Sequence, residues 1–365
     1  MKRLISVSLC MMIICTQMPT AYAVGTSASS AILMEAESGR ILYEQNADEP
    51  RLIASITKLM TGLVALESGL ELGSTVVVPR EAVGAEGSSL YLKEGEKISL
   101  EALLYGMLLH SGNDAALAVA IDCRGSVEAF VAAMNEKAEA LGMTHSHFEN
   151  PNGLNAPEHY SSAHDMAVLA RACLQNEQLA TILATKNIQI GGRSLINHNK
   201  LLWNYSGCIG MKTGYTEKAG RTLVSAAERE GMKLIAVTLN DPNDWKDHTN
   251  LLDWGFSQYS LVQITEKGMG IGKLPVQGAL CPFVEVEAGE GFCYPVSSSD
   301  SVRLSIHWSV DYLDSPIQKG SSVGCLEVSC GEERIAEIPL ICSDSLPSIV
   351  SPEQGIARRF HSLIS

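Results

Sequence analysis

The chain has 365 residues, 46% of them hydrophobic, and a formal net charge of −14 at pH 7. This length and a positive mean hydropathy exclude a disordered chain and leave room for two domains. The acidic balance argues against nucleic acid or a broadly anionic surface as a partner, because both attract a basic face.

The chain begins with the pattern of an export signal. Lys2 and Arg3 precede an apolar run that ends at Cys15, and Ala21-Tyr22-Ala23 places small residues where a signal peptidase cuts. The run is too short for a membrane span. We therefore predict a signal peptide over residues 1–23 and a mature protein that works outside the cytoplasm.

Cys10 and Cys15 fall within the predicted signal peptide. The other eight cysteines have no metal-site spacing, and their scattered positions define no disulfide framework. We expect them to be mostly buried, unpaired thiols. One or two disulfide bridges in the C-terminal part remain an alternative.

The first predicted elements are a hairpin over residues 31–44, turning at Glu37-Ser38-Gly39, and a buried helix after it. Ser55 and Lys58 lie three residues apart in the first turn of that helix, so they share a face. A lysine held there in neutral form would take the serine proton and create a nucleophile. The alternative is a helix N-cap at Ser55 with Lys58 in solvent.

A second buried helix is predicted over residues 100–110, which are almost continuously apolar. It stops at Ser111-Gly112-Asn113, and residues 114–121 resume a helix. A turn between two buried helices holds polar side chains in a fixed direction, which makes Ser111 and Asn113 candidate site residues. Taken alone, this turn is also explained by capping and turn formation.

Two capped helices are predicted over residues 126–141 and 161–174. Farther along, Lys212-Thr213-Gly214 precedes two β-rich segments, 221–227 and 233–239, which predict an antiparallel pair. We place this motif at the edge of that sheet. There Gly214 lets a substrate backbone approach, while Lys212 and Thr213 offer a positive charge and a hydroxyl to a peptide that ends in a carboxylate.

A helix over residues 244–259 closes this half, and residues 263–345 predict a small all-β, sandwich-like domain. The tail, 346–365, has apolar residues at helical spacing opposite Arg358 and Arg359, which favours an amphipathic anchor on a membrane surface. That anchor would place the protein peripherally on the outer face of the cytoplasmic membrane. A helix packed on the β domain itself is the alternative.

In their order along the chain, Ser55-x-x-Lys58, Ser111-Gly112-Asn113 and Lys212-Thr213-Gly214 resemble the D-alanyl-D-alanine carboxypeptidase family, S11-like low-molecular-weight penicillin-binding proteins. Further segments carry the same resemblance: Asn150-Pro151-x-Gly153-Leu154, Tyr160-Ser161-Ser162-Ala163-x-Asp165, Asn199-x-Leu201-Leu202 and Gly210-x-Lys212-Thr213-Gly214-Tyr215-Thr216. The resemblance implies an α+β fold: a β-lactamase/transpeptidase-like domain over residues 24–262, with a five-stranded antiparallel sheet flanked by helices, and then the all-β domain.

The resemblance also implies acyl transfer on a peptidoglycan stem peptide. Ser55 would attack the carbonyl of the penultimate D-alanine and release the terminal D-alanine, after which water hydrolyses the acyl-enzyme. The implied roles are general base for Lys58, proton relay for Ser111 and positioning of the substrate amide for Asn113.

The substrate carboxylate is implied to bind Lys212 and Thr213. The oxyanion hole would combine the backbone amide of Ser55 with an amide from the strand after Gly214. No metal or cofactor is implied, and β-lactam antibiotics are expected to acylate Ser55 as covalent inhibitors.

Three alternatives remain open: a class A β-lactamase, a catalytically silent cell-wall-binding protein and a slow esterase. β-Lactamases usually carry a water-activating glutamate in a Glu-x-x-Leu-Asn run, whereas here the residue three before Leu154 is Pro151 and Glu149 is out of register. Gly112 also stands where β-lactamases usually have an aspartate. A silent protein is disfavoured because all polar groups of the site are present.

Overall fold

The computed structural model describes residues 8–9 and 24–349. The chain divides into a larger unit, Ala21–Ser260, and a smaller unit that contains Leu261 onward together with residues 8–9. Apart from residues 8–9 and 346–349, the predicted signal peptide and the predicted C-terminal tail lie outside the described residues. Within the described ranges, no helix has the length and apolar character that a membrane span needs.

Helices and strands alternate along the larger unit, whereas the described part of the smaller unit contains strands and no helix. The helices are α1 (Lys58–Leu66), α2 (Leu100–Leu109), α3 (Asn113–Arg124), α4 (Val127–Ala140), α5 (Ala163–Gln175), α6 (Glu177–Ala184), α7 (Leu201–Asn204) and α8 (Asp244–Gln258), with 3-10 turns at Ala54–Thr57 and Arg80–Ala82. The strands are β1 (Ser8–Leu9), β2 (Ser30–Glu35), β3 (Ile41–Gln45), β4 (Thr75–Val77), β5 (Lys97–Ser99), β6 (Asn187–Ile190), β7 (Arg193–Ile196), β8 (Cys208–Gly210), β9 (Thr213–Thr216), β10 (Gly220–Arg229), β11 (Met232–Leu239), β12 (Tyr259–Thr265), β13 (Gly270–Gln277), β14 (Phe283–Ala288), β15 (Phe292–Ser297), β16 (Val302–Trp308), β17 (Leu313–Asp314), β18 (Ser322–Cys330) and β19 (Glu333–Cys342).

The main sheet of the larger unit is antiparallel in the order β3-β2-β11-β10-β8, and β9 also pairs with β10. β8 and β9 follow each other along one edge of β10, with Lys212 hydrogen-bonded to Val224 between them. The sheet therefore has six strands at five positions, which is the width that the family resemblance implied. The predicted hairpin is the pair β2 and β3, and the predicted strand pair after Gly214 is β10 and β11.

Helix α1 lies inside the larger unit, and all its residues from Lys58 to Ala65 are buried. It packs against α2, α3, α4 and α5 and so has no wide face to solvent. The 3-10 turn before it lies against β9 and β10. This arrangement brings the start of a buried helix to the edge of the main sheet.

The smaller unit contains a seven-stranded sheet in the order β1-β16-β18-β19-β14-β13-β17 and a two-stranded sheet of β12 and β15. Its core is formed by apolar side chains such as Val286, Leu326 and Leu340. The predicted all-β character of this region is confirmed.

The cysteines differ in part from the prediction. Free thiols are found at Cys123, Cys173, Cys208, Cys281, Cys293, Cys325 and Cys342. Only Cys173 and Cys342 among these are buried, and Cys281 is exposed. The expectation of burial is wrong for the others, because Cys281 is exposed and the remaining four are only partly covered.

Candidate active site

Ser55 and Lys58 lie together where the 3-10 turn Ala54–Thr57 runs into α1. The Ser55 Oγ atom is 2.9 Å from Lys58 Nζ, so the predicted approach of hydroxyl and amine is present. The Lys58 side chain is fully buried. The alternative of a solvated lysine beside a serine N-cap is therefore wrong, and the N-cap residue of α1 is Thr57.

The environment of Lys58 suits a neutral amine. Its Nζ lies 2.7 Å from Asn113 Oδ1 and 2.6 Å from the carbonyl oxygen of Asn152, and both oxygens are acceptors. A neutral amine has two N–H groups for these oxygens and one lone pair that accepts the Ser55 hydroxyl proton. Burial, followed by the charge of Lys212, lowers the pKa of Lys58 well below its ordinary value, although Asp114 opposes this shift.

Ser111 and Asn113 come from the turn between α2 and α3. Ser111 is buried, has a left-handed backbone with φ of 65°, and lines the site cavity. Asn113 lies behind the wall of the cavity, where its Oδ1 holds Lys58 and its Nδ2 donates to the Glu86 carbonyl at 2.5 Å. The structure therefore gives Asn113 a position that orients Lys58, and its contact with a substrate amide stays a prediction.

Asp114 is a residue that the sequence analysis did not select. Its buried carboxylate accepts hydrogen bonds from the backbone N–H groups of Leu90 and Leu92, at 2.9 and 3.0 Å, and from the Ser89 hydroxyl at 2.7 Å. The Asn113 N–H also donates to the Ser88 carbonyl at 2.7 Å. These bonds fix the loop that contributes Ser88 to the cavity wall.

Lys212-Thr213-Gly214 lies at the edge of the main sheet, as predicted, with Lys212 between β8 and β9. Lys212 is 1% exposed, and its Nζ donates to the Thr213 carbonyl at 2.8 Å. Burial lowers the pKa of Lys212 from 10.5 to about 7. Its charge therefore responds to the pH and to any anion that enters the cavity beside Thr213.

Gly214 is required by a close approach between β9 and the nucleophile turn. A Cβ atom at this position would lie 2.4 Å from Thr222 Oγ1 and 2.9 Å from the Ser55 backbone nitrogen. The same Thr222 hydroxyl donates to the Ile53 carbonyl at 2.9 Å and ties the turn to β10. Only a residue without a side chain leaves the Ser55 N–H accessible from the cavity described below.

These elements enclose a cavity of about 340 Å³. Its wall is formed by Ser55, Ser88, Ser111, His198, Lys200, Thr213, Gly214, Tyr215, Arg221, Asp244 and Trp245. The sequence analysis selected Ser55, Ser111, Thr213 and Gly214 from this wall. It also selected Lys58 and Lys212, which do not belong to the wall.

Two groups of cavity residues were missed. His198 and Lys200 flank Asn199, in a segment that resembles the carboxypeptidase family. The sequence analysis noted that resemblance but gave neither residue a role. Burial, with Lys212 and His110 nearby, lowers the pKa of His198 to about 4. Arg221 and Asp244 form an ion pair of 2.8 Å that joins β10 to the start of α8, a contact that only the folded chain creates.

Glu149, the glutamate closest to the β-lactamase pattern, is engaged elsewhere. Its carboxylate accepts the Glu158 N–H at 2.7 Å. The oxygen that Lys58 contacts in this part of the chain is the Asn152 carbonyl. Among the described residues, no group of three His, Cys, Asp or Glu side chains is placed to hold a metal ion.

Both parts of the chain match known protein families. Residues 17–243 match the S11 peptidase model, described as D-alanyl-D-alanine carboxypeptidase. Residues 259–348 match the C-terminal domain of penicillin-binding protein 5. The chain is 32% identical to D-alanyl-D-alanine carboxypeptidase DacF of Bacillus subtilis, over 95% of each protein, and 32% identical to DacA of Escherichia coli, over 88% of this chain and 84% of DacA.

Solved structures show the same architecture. Penicillin-binding protein 5 of Haemophilus influenzae superposes with a TM-score of 0.77 at 28% identity, covering 90% of this chain and 99% of that protein. A mutant of the Streptomyces K15 DD-transpeptidase covers 64% of this chain and 100% of that protein, with a TM-score of 0.62 at 31% identity. The predicted α+β architecture with an additional β domain is thus confirmed.

Proposed function

Because the chain belongs to the S11 family of D-alanyl-D-alanine carboxypeptidases, we propose that it removes the terminal D-alanine from peptidoglycan stem pentapeptides through an acyl-enzyme on Ser55. The observation that carries this proposal is the distance of 2.9 Å between the Ser55 hydroxyl and the buried Lys58 amine, at the wall of the cavity. The chain would thereby act in cell-wall maturation.

Acylation begins with proton transfer from Ser55 Oγ to the neutral Lys58 amine, as the serine oxygen forms a bond to the carbonyl carbon of the penultimate D-alanine. The tetrahedral intermediate places its negative oxygen at the Ser55 N–H and an amide of β9. The C–N bond then breaks, and Ser111 passes the proton from Lys58 to the leaving nitrogen. Free D-alanine leaves, and water cleaves the ester to restore Ser55.

The substrate carboxylate would bind beside Thr213, where β9 begins. Lys212 supplies positive charge from behind the wall, and the Thr213 hydroxyl supplies a hydrogen bond. An entering carboxylate raises the pKa of Lys212 and keeps its amine protonated, because an opposite charge nearby favours the charged form. Substrate binding thus restores a charge that burial alone suppresses.

β-Lactam antibiotics carry a reactive cyclic amide and are proposed as covalent inhibitors of Ser55. Penicillin binding is named in the related structures and supports this proposal. Fast hydrolysis of the lactam is not expected, because Glu149 is held by the Glu158 backbone and does not stand in the β-lactamase register.

The cellular location is proposed from sequence alone. The export signal over residues 1–23 and the amphipathic pattern over residues 346–365 support a place on the outer face of the cytoplasmic membrane. Fractionation of the full chain and of a chain ending at residue 345 tests the anchor. Loss of membrane association on truncation is expected, and equal association of both chains would contradict it.

Fluorescent penicillin and a stem pentapeptide test the proposed chemistry on the wild type, Ser55→Ala and the surface control Ser257→Ala. We expect a covalent label and release of D-alanine with the wild type and Ser257→Ala, and neither with Ser55→Ala. An unlabelled wild type would contradict the acyl-enzyme. Rapid turnover of the lactam would instead establish a β-lactamase, and a label without release of D-alanine would remove the carboxypeptidase activity.

A further inference from the structure

A chain of hydrogen bonds runs behind the nucleophile, among residues outside the cavity wall. The Glu149 N–H donates to His159 Nδ1 at 3.1 Å, His159 Nε2 lies 2.8 Å from Thr57 Oγ1, and Thr57 Oγ1 lies 2.8 Å from the Ala54 carbonyl oxygen. His159 is 1% exposed and Thr57 is fully buried. These residues carry no role in the steps above.

The direction of every proton in this chain follows from its ends. A backbone N–H can only donate, so Nδ1 of His159 is the acceptor and Nε2 carries the single proton of the neutral ring. His159 Nε2 therefore donates to Thr57 Oγ1. The Thr57 hydroxyl is then free to donate to the Ala54 carbonyl, which is itself only an acceptor.

The Ala54 carbonyl belongs to the same peptide unit as the Ser55 N–H. A trans peptide is planar, so fixing the direction of the carbonyl fixes the N–H on its opposite side. Ala54 needs such support because its φ is +50°, a left-handed conformation that costs free energy in a residue with a side chain. Gly153 packs directly on this unit, and a Cβ there would lie 2.0 Å from the Ala54 oxygen.

We propose that His159, as a neutral imidazole, is a positioning residue that acts through Thr57 to hold the Ala54–Ser55 peptide and aim the Ser55 N–H at the substrate oxyanion. It acts through two intervening groups and does not touch the substrate. The inference rests on the proposed function of Ser55. It adds a role for a buried histidine that lies outside the cavity wall.

The surroundings of His159 keep it in the required state. Burial, with His147 and Lys58 nearby, lowers the pKa of His159 to about 4. A second ring proton would also point at the Glu149 N–H, which cannot accept it. The neutral form and its tautomer are thus maintained at neutral pH, and Phe148 packs edge-on against the ring.

The test measures the rate constant for acylation of Ser55 by a fluorescent penicillin. Thr57→Val keeps the side-chain shape without the hydroxyl, and His159→Phe keeps a ring without the donor. Because a misdirected oxyanion donor weakens only the transition state, each variant is expected to acylate about tenfold to a hundredfold more slowly. The dissociation constant of the initial penicillin complex should change by less than about threefold.

Two further variants show whether Thr57 and His159 act through one connected series of hydrogen bonds or contribute independently. The double variant Thr57→Val/His159→Phe should be about as slow as either single one, since both break the same chain. Thr57→Ser restores the hydroxyl and is expected to stay within about threefold of the wild type. Independent, multiplying losses or a failure of Thr57→Ser would overturn the proposal.

His248 supplies a matched control in the same unit. It is fully buried and contacts two hydroxyls, Ser225 Oγ at 2.6 Å and Thr238 Oγ1 at 3.0 Å. His248→Phe should lower the melting temperature and leave the acylation rate constant of the folded, label-titrated fraction unchanged. An equal loss of rate in this control, or an unchanged rate in Thr57→Val, contradicts the inference. A wild type that is not acylated at all overturns the proposed function itself.

Discussion

The two units of the chain differ in what they bury. The larger unit buries lysines, aspartates, histidines and asparagines, among them Lys58, Lys212 and Asp114. In the described part of the smaller unit, Thr265 is the only buried polar residue, and the core is apolar. Burial of a charged group costs stability unless the group is both hydrogen-bonded and paired with an opposite charge. The buried lysines therefore give the larger unit a cost that the described part of the smaller unit avoids.

This difference separates stability from chemistry. Lys58 can act as a base because burial lowers the pKa of its amine. Burial of the same amine lowers the stability of the fold. An apolar core supports strands without changing the pKa of any group in the site. We therefore expect substitutions in the cavity wall of the larger unit, and at the residues directly behind it, to change rates strongly. Substitutions in the core of the smaller unit should change mainly the free energy of unfolding.

The largest expected effect is that of Lys58→Met. Removal of the amine beside the Ser55 hydroxyl should lower the acylation rate constant by at least about a thousandfold, because nucleophile and base act as one unit. Acylation by fluorescent penicillin measures this loss. A rate within about tenfold of the wild type would show that Lys58 is not the base.

Lys58→Met also tests the cost of burial. The pKa of Lys58 is lower in the folded protein than in the unfolded chain. Below about pH 10.5 the unfolded chain therefore binds more protons than the folded protein does. The wild type should therefore gain stability as the pH rises toward that value. Urea unfolding should show a weaker gain in Lys58→Met, and an equal slope would contradict the depressed pKa.

Gly214→Ala is the next largest expected change. The added methyl group would meet Thr222 Oγ1 and the Ser55 nitrogen, so either β9 or the nucleophile turn must move. We expect acylation to slow by about a hundredfold. Gly270→Ala in the smaller unit is the matched control, since nothing lies within 4 Å of its added Cβ. An unchanged rate in Gly214→Ala would show that the groove tolerates a side chain.

A smaller effect is expected from the titration of Lys212. Its pKa of about 7 means that the free site loses positive charge as the pH rises above 7. Binding of a carboxylate must then include uptake of a proton, so the dissociation constant of a D-Ala-D-Ala peptide should rise by about fivefold between pH 7 and pH 8.

The corresponding peptide amide has no carboxylate to bind and should show no such rise. Isothermal titration calorimetry of both ligands with Ser55→Ala, which cannot form the acyl-enzyme, measures the difference. Lys212→Met should bind the carboxylate form weakly at both pH values. Equal pH dependence of the two ligands would show that Lys212 does not recognise the terminal charge.

The smallest effect on catalysis is expected in the smaller unit. Leu340 is fully buried in its core, and Leu340→Ala should lower the free energy of unfolding of that unit by about 2 to 5 kcal/mol. Its acylation rate constant should match the wild type, because no side chain of the cavity wall comes from this unit. A large loss of rate in the folded variant would contradict the view that the core of the smaller unit affects stability and not acylation.

Local sequence patterns predicted the site where one element carries the residues. Ser55 and Lys58 share a helical turn, Ser111 and Asn113 share one turn between helices, and Lys212 to Gly214 share a sheet edge. Periodicity also predicted the buried helices and the strand pair β10 and β11 correctly. In each case the spacing along the chain determines which side chains share a face.

Contacts between distant segments were not predictable in this way. Asn152 meets Lys58 across 94 positions, and His159 meets Thr57 across 102. Asn113 was selected for a contact with the substrate, and its hydrogen bond to Lys58 across 55 positions was not predicted. Such pairings depend on how α1 packs among its neighbours, which no local pattern specifies.

The central claim is that the Lys58 amine is neutral when it meets the Ser55 hydroxyl. Nuclear magnetic resonance of lysine side chains labelled at Cε and Nζ measures its titration directly, with Lys58→Met assigning the signal. We expect the Lys58 amine to lose its charge at a pH well below 10.5, because burial lowers its pKa. A signal that stays charged until the pH approaches 10.5 would contradict the account.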